Sequence, residues 1–412
     1  MLGGLLTAQP EGAAGPLTAV NTQTFLLLFL IVVTKLAVVV FVHEWSMDVG
    51  MGGLSPVVLG GDDGVLYAQI AGFVAETGRF PWAPSVWPLA VGLLMHWMGL
   101  RGLFLFKAFL FVASILVLVY GLRLLDRLSW EATRQRPSAR SQAVALVLLG
   151  LFPTVVYYGS FSIYRDLVIY ALYLASAYYG YEVFVGRRAG AGRLAVALVT
   201  LFAFRWYAAV AFVAGTGAWL GLVGLQQNRR KGPALAAGAA VGVGMLILLL
   251  QMNFFANFMQ YLSFRETFEV QGGGSTMGID FASASPLELP YLYVYSFVSN
   301  VAGPLPFQIT SLSTLVGFVF EVPVIVYALY RVARGRVRTT PGGRYLLLLA
   351  LAWFGLIAIY NDNLGTALRL RVLGMQLVFL LFACELWVSQ LSRRTRPARR
   401  PARSAALVAQ PA

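Results

Sequence analysis

Long apolar runs separated by short basic segments constrain this chain more than any other feature of its sequence. A helix needs about 20 mostly apolar residues to cross the hydrocarbon layer of a membrane. About ten segments approach that length: roughly 24–43, 102–122, 141–159, 167–186, 194–204, 207–226, 233–255, 311–330, 345–360 and 372–391. The sequence therefore predicts an all-α polytopic membrane protein with about ten transmembrane helices, of which the fifth is short.

The composition excludes several classes of protein. Hydrophobic residues make up 59% of the chain and charged residues only 12%, whereas about 25% of the residues in soluble domains are charged. A soluble globular enzyme, a disordered regulator and a secreted disulfide scaffold are therefore ruled out. With one cysteine, Cys384, and two histidines, the sequence offers neither an internal disulfide nor a cysteine- or histidine-rich metal site. No cofactor or metal site is predicted, and a requirement for a divalent cation is left open.

The positions of the arginines predict the orientation of the chain. Basic residues in short loops are retained on the cytoplasmic side, and most of the 31 basic residues fall into five clusters. These clusters lie at 123–140, 187–193, 229–231, 331–344 and 393–403. With ten spans all five share one face, so both termini are predicted to be cytoplasmic. The net charge of +14 is then mainly a topology signal: membrane lipids are expected partners and nucleic acid is not.

The predicted spans divide the chain into three parts. A polar cytoplasmic N-terminus, 1–23, precedes a single transmembrane domain, 24–391, which is followed by a basic cytoplasmic tail, 392–412. Two large loops, at about 44–101 and 256–310, fall on the outer side. Because the inner side carries only short connectors and the tail, we expect the chemistry of the protein on the outer side.

Each outer loop contains an apolar stretch that we interpret as a helix lying in the membrane interface. Segment 84–100 has two tryptophans and His96, and counting it as a span would place the arginines after it on the wrong side. Segment 286–306 is tyrosine-rich and Pro-broken, which also argues against a span.

Charged residues that the topology does not explain are the candidates for function. Carboxylates can take a proton from a hydroxyl, and arginines offer a bidentate fork to phosphate oxygens. The candidate catalytic residues are Asp62 and Asp63, which precede a short amphipathic helix; the alternative is that one of them only caps that helix. The candidate substrate-binding residues are Lys107, Arg165, Asp166, Arg205, Arg265, Asp362, Arg369 and Arg371.

Two pairs of neighbours among these candidates leave alternatives open. Arg165 and Asp166 have the pattern of a cap with a snorkelling cation as well as that of a binding pair. Arg369 and Arg371 are two residues apart on a helix, so they point to nearly opposite sides. One of the two is expected to line a cavity and the other to face headgroups, and the sequence does not choose between them.

Two further charges, Lys35 and Glu321, are predicted near the middle of the first and eighth spans. A charge at mid-depth is usually paired or functional. We predict a structural ion pair between Lys35 and Glu321, with a proton or ion pathway as the rival interpretation.

The chain resembles the GT-C class of glycosyltransferases, polytopic enzymes that use polyprenyl-phosphate-linked sugars, over roughly residues 24–390. The resemblance lies in an acidic first outer loop, an interfacial segment, a span that opens with a lysine, and several similar segments later in the chain. The segments that carry it are GGDDGVLYAQIA, PLAVGLLMHWMGLRG, LFLFKAFLF, YGSFSIYRDLVIYAL, FRWYAAVAF, AGPLPFQITS and GTALRLRVLGMQLVFLLFA. It implies a bacterial cytoplasmic (inner) membrane location and a general base at the Asp62 or Asp63 position. It also implies inversion at the sugar, with the carrier phosphate held by Arg165, Arg205, Arg369 or Arg371.

The leading hypothesis is therefore a glycosyltransferase of cell-surface glycan synthesis that faces the periplasm or the exterior. Its donor would be a polyprenyl-phosphate-linked or pyrophosphate-linked sugar or oligosaccharide, and its acceptor a glycan or lipid hydroxyl. The alternatives are an O-antigen-polymerase-type enzyme that joins lipid-linked oligosaccharides, a lipid-linked oligosaccharide flippase or other transporter, and a non-catalytic scaffold. The sequence does not identify the sugar or the acceptor.

Overall fold

The computed structural model describes residues 21–55, 63–81, 83, 85–99, 102–161, 163–186, 190–227, 276–279, 281 and 284–394. Within these ranges the protein is helical, and the only β-type pairing is a single bridge between Thr276 and Asn363. The helices before the first long gap are α1 Thr22–Asp48, α2 Asp63–Thr77, α3 Val86–Met98, α4 Phe104–Thr133, α5 Ala139–Gly150, α6 Pro153–Ser160, α7 Asp166–Tyr181, α8 Ala191–Phe204 and α9 Trp206–Gln227. The later helices are α10 Leu289–Ala302, α11 Leu312–Phe320, α12 Val322–Arg334, α13 Pro341–Tyr360 and α14 Leu364–Arg394.

Six helices in the described ranges are long and apolar enough to cross a membrane: α1, α4, α7 with its continuation to Gly186, α9, α13 and α14. Two bent pairs, α5 with α6 and α11 with α12, raise the number to eight if each pair is one span. These elements confirm a polytopic membrane protein. Of the two remaining predicted spans, 194–204 is the 14-residue helix α8, and 233–255 lies outside the described residues. A total of ten spans stays a prediction.

Proline and glycine account for the two bends. The α5–α6 pair bends by 47° after Gly150, and α6 begins with Pro153. The α11–α12 pair bends by 41°, and Pro323 lies in the first turn of α12. Proline lacks the N–H that would continue the upstream helix and clashes with the carbonyl four residues back. A proline is tolerated in the first turn of a new helix, so each predicted span becomes two helices.

The last helix is the centre of the bundle and the first is at its edge. In the most apolar window of α14, 89% of the residues are buried, against 22% in α1. Gly374 of α14 makes room for the Phe354 ring of α13, because a Cβ at that position would lie 2.4 Å from Phe354 Cε1. Small residues at such crossings let apolar helices pack closely in a membrane.

The two predicted interfacial segments are short helices. Segment 84–100 contains α3, whose N-terminus is capped by Ser85 and which packs on α2 through Gly92. Segment 286–306 contains α10, which is one continuous helix. The expectation that prolines break it is wrong, because Pro290 lies in its first turn and Pro304 beyond its end.

The ion pair predicted between Lys35 and Glu321 is also wrong. Lys35 Nζ donates to Gly150 O at 3.0 Å, whereas Glu321 pairs with Arg371 and accepts from both the backbone N and the hydroxyl of Thr154 at 2.6 Å. Depth in a span does not fix which side of the helix faces a partner. The break between α5 and α6 leaves backbone groups unsatisfied, and the two charges meet its opposite ends, the cation at the C-terminus of α5 and the carboxylate at the N-terminus of α6.

Candidate active site

Charged and aromatic side chains gather at one end of the bundle, which we call the site end. Here α2, α7 and α14 begin and the junction of α8 with α9 lies. The structure brings together five of the residues singled out from the sequence, which we call the arginine cluster: Asp63, Arg165, Asp166, Arg205 and Arg369. Among the described residues of the cluster, three guanidiniums accompany two carboxylates.

The inner part of the cluster is a buried ion pair between Asp166 and Arg205. The two groups approach to 2.8 Å, and their side chains are 1% and 3% exposed. Asp166 is the first residue of α7, where the helix dipole favours a carboxylate. Arg205 is the single residue between α8 and α9, and its guanidinium lies 5.5 Å from the centre of the Tyr207 ring. The junction between α8 and α9 at Arg205 therefore lies beside the first turn of α7.

Two hydrogen-bond donors of the Arg205 guanidinium have no described partner. Its Nε and Nη1 atoms are buried and form no hydrogen bond with any residue that the structure describes. Buried donors without a partner carry a cost in free energy, so such atoms are normally satisfied by protein, water or ligand. Each of the two can donate to a further acceptor.

The outer part of the cluster is a partly exposed ion pair between Asp63 and Arg369. Arg369 Nη1 donates to Asp63 Oδ2 at 2.9 Å, and the side chains are 19% and 47% exposed respectively. The guanidinium also lies 5.6 Å from the centre of the Tyr164 ring. Asp63 is the first residue of α2, where the helix dipole favours a carboxylate, and its side chain is accessible from outside.

Electrostatics tie the two ion pairs into one site. The charges of Arg205, Arg369 and Arg165 all act on the Asp166 carboxylate. The Arg165 guanidinium lies 6.0 Å from the centre of the Tyr67 ring of α2. Burial raises the pKa of Tyr67 to about 12 despite the positive charge of Arg165, so this phenol keeps its proton at physiological pH and can donate a hydrogen bond.

Three predicted substrate ligands lie outside the arginine cluster. Lys107 is fully buried in the first turn of α4, where its Nζ forms no hydrogen bond with any described residue and its charge acts on His43 of α1. Arg371 is fully buried and binds Glu321 and the carbonyl of Gly303, so the expectation that one of the α14 arginines faces headgroups is wrong. Glu321, at the bend between α11 and α12, holds the Arg371 side chain inside the bundle.

Asp362 binds protein instead of pointing into the cluster. It accepts from Thr276 Oγ1 at 2.5 Å and from Ile279 N at 3.0 Å, and thereby holds segment 276–279 against the turn between α13 and α14. Two further predicted site residues, Asp62 and Arg265, lie outside the described residues.

Sequence reasoning missed an apolar groove of about 600 Å³ between α3, α4, α7 and α8. It starts at the site end beside Trp87 and Phe204, the neighbour of Arg205, and ends at Tyr120 and Tyr179. Trp87 Nε1 donates to Ile163 O at 3.0 Å and so fixes the rim. The available signal was small residues, Ala113, Ala171, Ala175 and Ala197, which three separate helices contribute.

No protein-family model matches this chain, and no curated protein matches its sequence. In the described ranges, no group of three or more histidine, cysteine or acidic side chains is arranged to hold a metal ion. The described residues of the arginine cluster offer two kinds of chemistry: their guanidiniums can bind an anion, and Asp63 can accept a proton.

Proposed function

We propose that this chain is a membrane glycosyltransferase that transfers a sugar from a polyprenyl-(pyro)phosphate carrier to an acceptor hydroxyl, in the synthesis of a cell-surface glycan. The observation that carries the proposal is the contact between a half-exposed carboxylate, Asp63, and Arg369, beside two more guanidiniums. A reacting hydroxyl needs a proton acceptor, and a departing phosphate needs fixed positive charge. The arginine cluster offers both.

In the proposed reaction, Asp63 takes the proton of the acceptor hydroxyl while the oxygen of that hydroxyl bonds to the anomeric carbon of the sugar. The bond from that carbon to the phosphate oxygen breaks, its electron pair leaves with the phosphate, and the configuration inverts. Arg205 and Arg165 hold the phosphate, and Asp166 positions Arg205. Because Arg369 is bonded to Asp63, a phosphate that binds Arg369 competes for its donors and frees the carboxylate to accept the proton.

The distribution of arginines supports an outer-face site in a bacterial cytoplasmic membrane with both termini in the cytoplasm. Helix α4 runs from the site end to a connector that carries Arg134, Arg136 and Arg140. Helix α13 runs to the site end from a connector that carries Arg336 and Arg338. Arginine-rich connectors are retained in the cytoplasm, and here they lie at the end of the bundle opposite the site.

Sugar transfer tests the proposal directly. Purified protein in lipid nanodiscs would receive polyprenyl phosphates that carry a radiolabelled hexose, together with glycan and lipid acceptors. We expect Asp63→Asn to lower transfer by about 10²-fold or more, the usual contribution of a general base. The matched control is Glu76→Gln, which removes an exposed carboxylate from the same helix and should leave transfer unchanged. Full activity of the Asp63 variant, or none in the wild type with any donor of this class, would contradict the proposal.

A transporter of lipid-linked sugars is a second candidate, because two of the membrane helices are broken and carry charge at the breaks. Broken helices of this kind form the substrate sites of many secondary transporters. At these breaks, however, Lys35 and Glu321 bind helix ends and Arg371. Movement of a fluorescent lipid-linked sugar between leaflets without any transfer product would favour the transporter. A ladder of repeats as product would favour the polymerase-type enzyme over addition of one sugar.

A further inference from the structure

A second place with buried polar atoms that have no described partner lies between α1 and the start of α4. Lys107 of α4 is fully buried, and its Nζ forms no hydrogen bond with any residue that the structure describes. The Nδ1 atom of His43 on α1 is buried in the same state. Buried polar groups are normally satisfied by protein, water or ligand, so two neighbouring groups of this kind mark a place where a ligand can bind.

The two side chains share this place with the N-terminus of α4. The charge of Lys107 acts on His43, and the His43 ring lies 5.1 Å from the ring of Phe104, the first residue of α4. No side chain caps this helix end, so its first N–H groups and the helix dipole add to the positive potential. An ammonium group, an imidazole that can present an N–H and a helix N-terminus together favour an anion.

A glycine of the loop after α1 gives this pocket its shape. Gly53 has a φ of +96°, and a Cβ there would lie 3.1 Å from His43 Cε1, 3.2 Å from His43 Nδ1 and 3.3 Å from Leu103 Cβ. The Ser46 hydroxyl fixes the loop, because it accepts from Gly53 N at 2.9 Å and donates to Leu54 O at 2.5 Å. The backbone therefore closes over the imidazole without a side chain that would fill the space beside Nδ1.

The charge in the pocket selects an anion with a single negative charge. Lys107 supplies one buried positive charge, and the nearby Glu44, whose charge also acts on His43, is exposed. A dianion would leave one negative charge buried without a partner, which is costly. A carboxylate carries one charge and two oxygens, one for the ammonium of Lys107 and one for the imidazole of His43.

We propose that His43, Lys107 and the N-terminus of α4 form a carboxylate-binding site separate from the arginine cluster. The shared chemistry of its ligands is a carboxylate, from either a small organic acid or a sugar acid within a glycan. No residue of the arginine cluster takes part, so this site stands whether or not the chain transfers a sugar.

The two histidines of the chain allow a direct test on the wild-type protein. The full chain, labelled with ¹³C at histidine Cε1, is placed in phosphatidylcholine nanodiscs, which contain no carboxylate. Acetate, glucuronate and glycerol phosphate each replace chloride at fixed ionic strength and about pH 7, where the phosphate monoester is mainly dianionic. His96 is the internal reference, since it is exposed and its Nδ1 lies 2.8 Å from Ala75 O.

We expect acetate and glucuronate to shift the His43 signal saturably and to leave the His96 signal in place. Glycerol phosphate should bind about tenfold more weakly or less. Glucuronate binding about tenfold tighter than acetate would support a sugar acid as the ligand, and equal affinities would support a small acid. No saturable shift of His43 with either carboxylate, or equally tight binding of glycerol phosphate, would overturn the proposal.

A matched pair of loop variants tests the position of the site. Gly53→Ala places a methyl group against the imidazole and should weaken acetate binding about tenfold or more. Gly52→Ala is the control, because Gly52 also has a positive φ, +60°, but a Cβ there would meet nothing within 4 Å. Equal losses in both variants would show that backbone strain causes the effect, and would overturn the placement of the ligand beside His43.

Replacement of the lysine separates binding from a role in the fold. Lys107→Met should weaken acetate binding about 10- to 100-fold, the loss expected for one charge-assisted hydrogen bond. It should not lower stability without acetate, because it removes a buried charge that has no described partner. Lys35→Met is the control: it makes the same exchange at a buried lysine that binds Gly150 O and should bind acetate normally per folded molecule. Unchanged acetate affinity in the Lys107 variant would overturn the proposal.

Discussion

The arginine cluster and the α5–α6 break both place several charges inside an apolar bundle, yet they use those charges differently. At the break, Lys35 and Glu321 each satisfy a backbone group of a helix end, and Glu321 also binds Arg371. In the arginine cluster, Arg205 has two donors that bind no described residue, whereas at the break one donor, Arg371 Nε, is in that state.

We interpret this difference as one between charge that supports the fold and charge that, under the proposed function, binds a ligand. A helix break in an apolar environment must have its backbone groups satisfied by neighbours, and Lys35 and Glu321 satisfy them at the two helix ends. A binding site instead retains unmatched donors until the ligand brings the acceptors. Mutations at the break should therefore mainly lower stability, whereas a change at Arg205 should lower binding in addition to removing the stability that the buried Asp166–Arg205 pair contributes.

The largest expected effect is at Arg371, where the comparison predicts a loss of stability. Arg371→Leu leaves Glu321 buried without its cation, and breaking a buried pair from one side typically costs about 3–5 kcal/mol. Unfolding of the purified variant in detergent should show that loss. Replacing both partners by leucine should recover a large part of it. A single Arg371 variant as stable as the wild type would show that the ion pair does not support the bend.

The next effect is at Arg205, where the comparison predicts loss of binding. Arg205→Gln removes charge-assisted hydrogen bonds of about 1.5–3 kcal/mol each, so the affinity for a polyprenyl phosphate should fall by about 10- to 100-fold. The readout is competition in nanodiscs per folded molecule, which separates binding from any loss of protein. Arg371→Leu is the control, since its folded fraction should bind normally. Unchanged affinity in the Arg205 variant would remove the phosphate from the arginine cluster.

The sequence predicted the features that local pattern encodes. Apolar runs identify the spans because about 20 residues of one chain suffice to cross a membrane, and arginine-rich connectors predict which helix ends lie together. Asp63, Arg165, Asp166, Arg205 and Arg369 meet at one end for that reason, while their roles stay predictions.

What the sequence could not give depends on partners distant in the chain. The break after Gly150 leaves the N-terminus of α6 open to Glu321, which also binds Arg371, and periodicity within one span does not reveal either contact. The groove arises where alanines of separate helices face one another, and no single helix carries its pattern. The residue-level surprises, Lys35 and Arg371, are cases in which depth was predictable and the facing side was not.

The smallest expected effect on stability is at Asp63, and it contrasts most strongly with the effect expected at Arg371. The Asp63–Arg369 pair is partly exposed, and exposed ion pairs contribute about 0–1 kcal/mol to stability. Asp63→Asn should therefore unfold within about 1 kcal/mol of the wild type, although it is the variant expected to lose sugar transfer. Thermal or denaturant unfolding in the same detergent measures this next to Arg371→Leu. A loss of several kcal/mol at Asp63 would assign its carboxylate to the fold, in the manner of Glu321, because a residue kept for proton transfer can lose its charge without weakening the bundle.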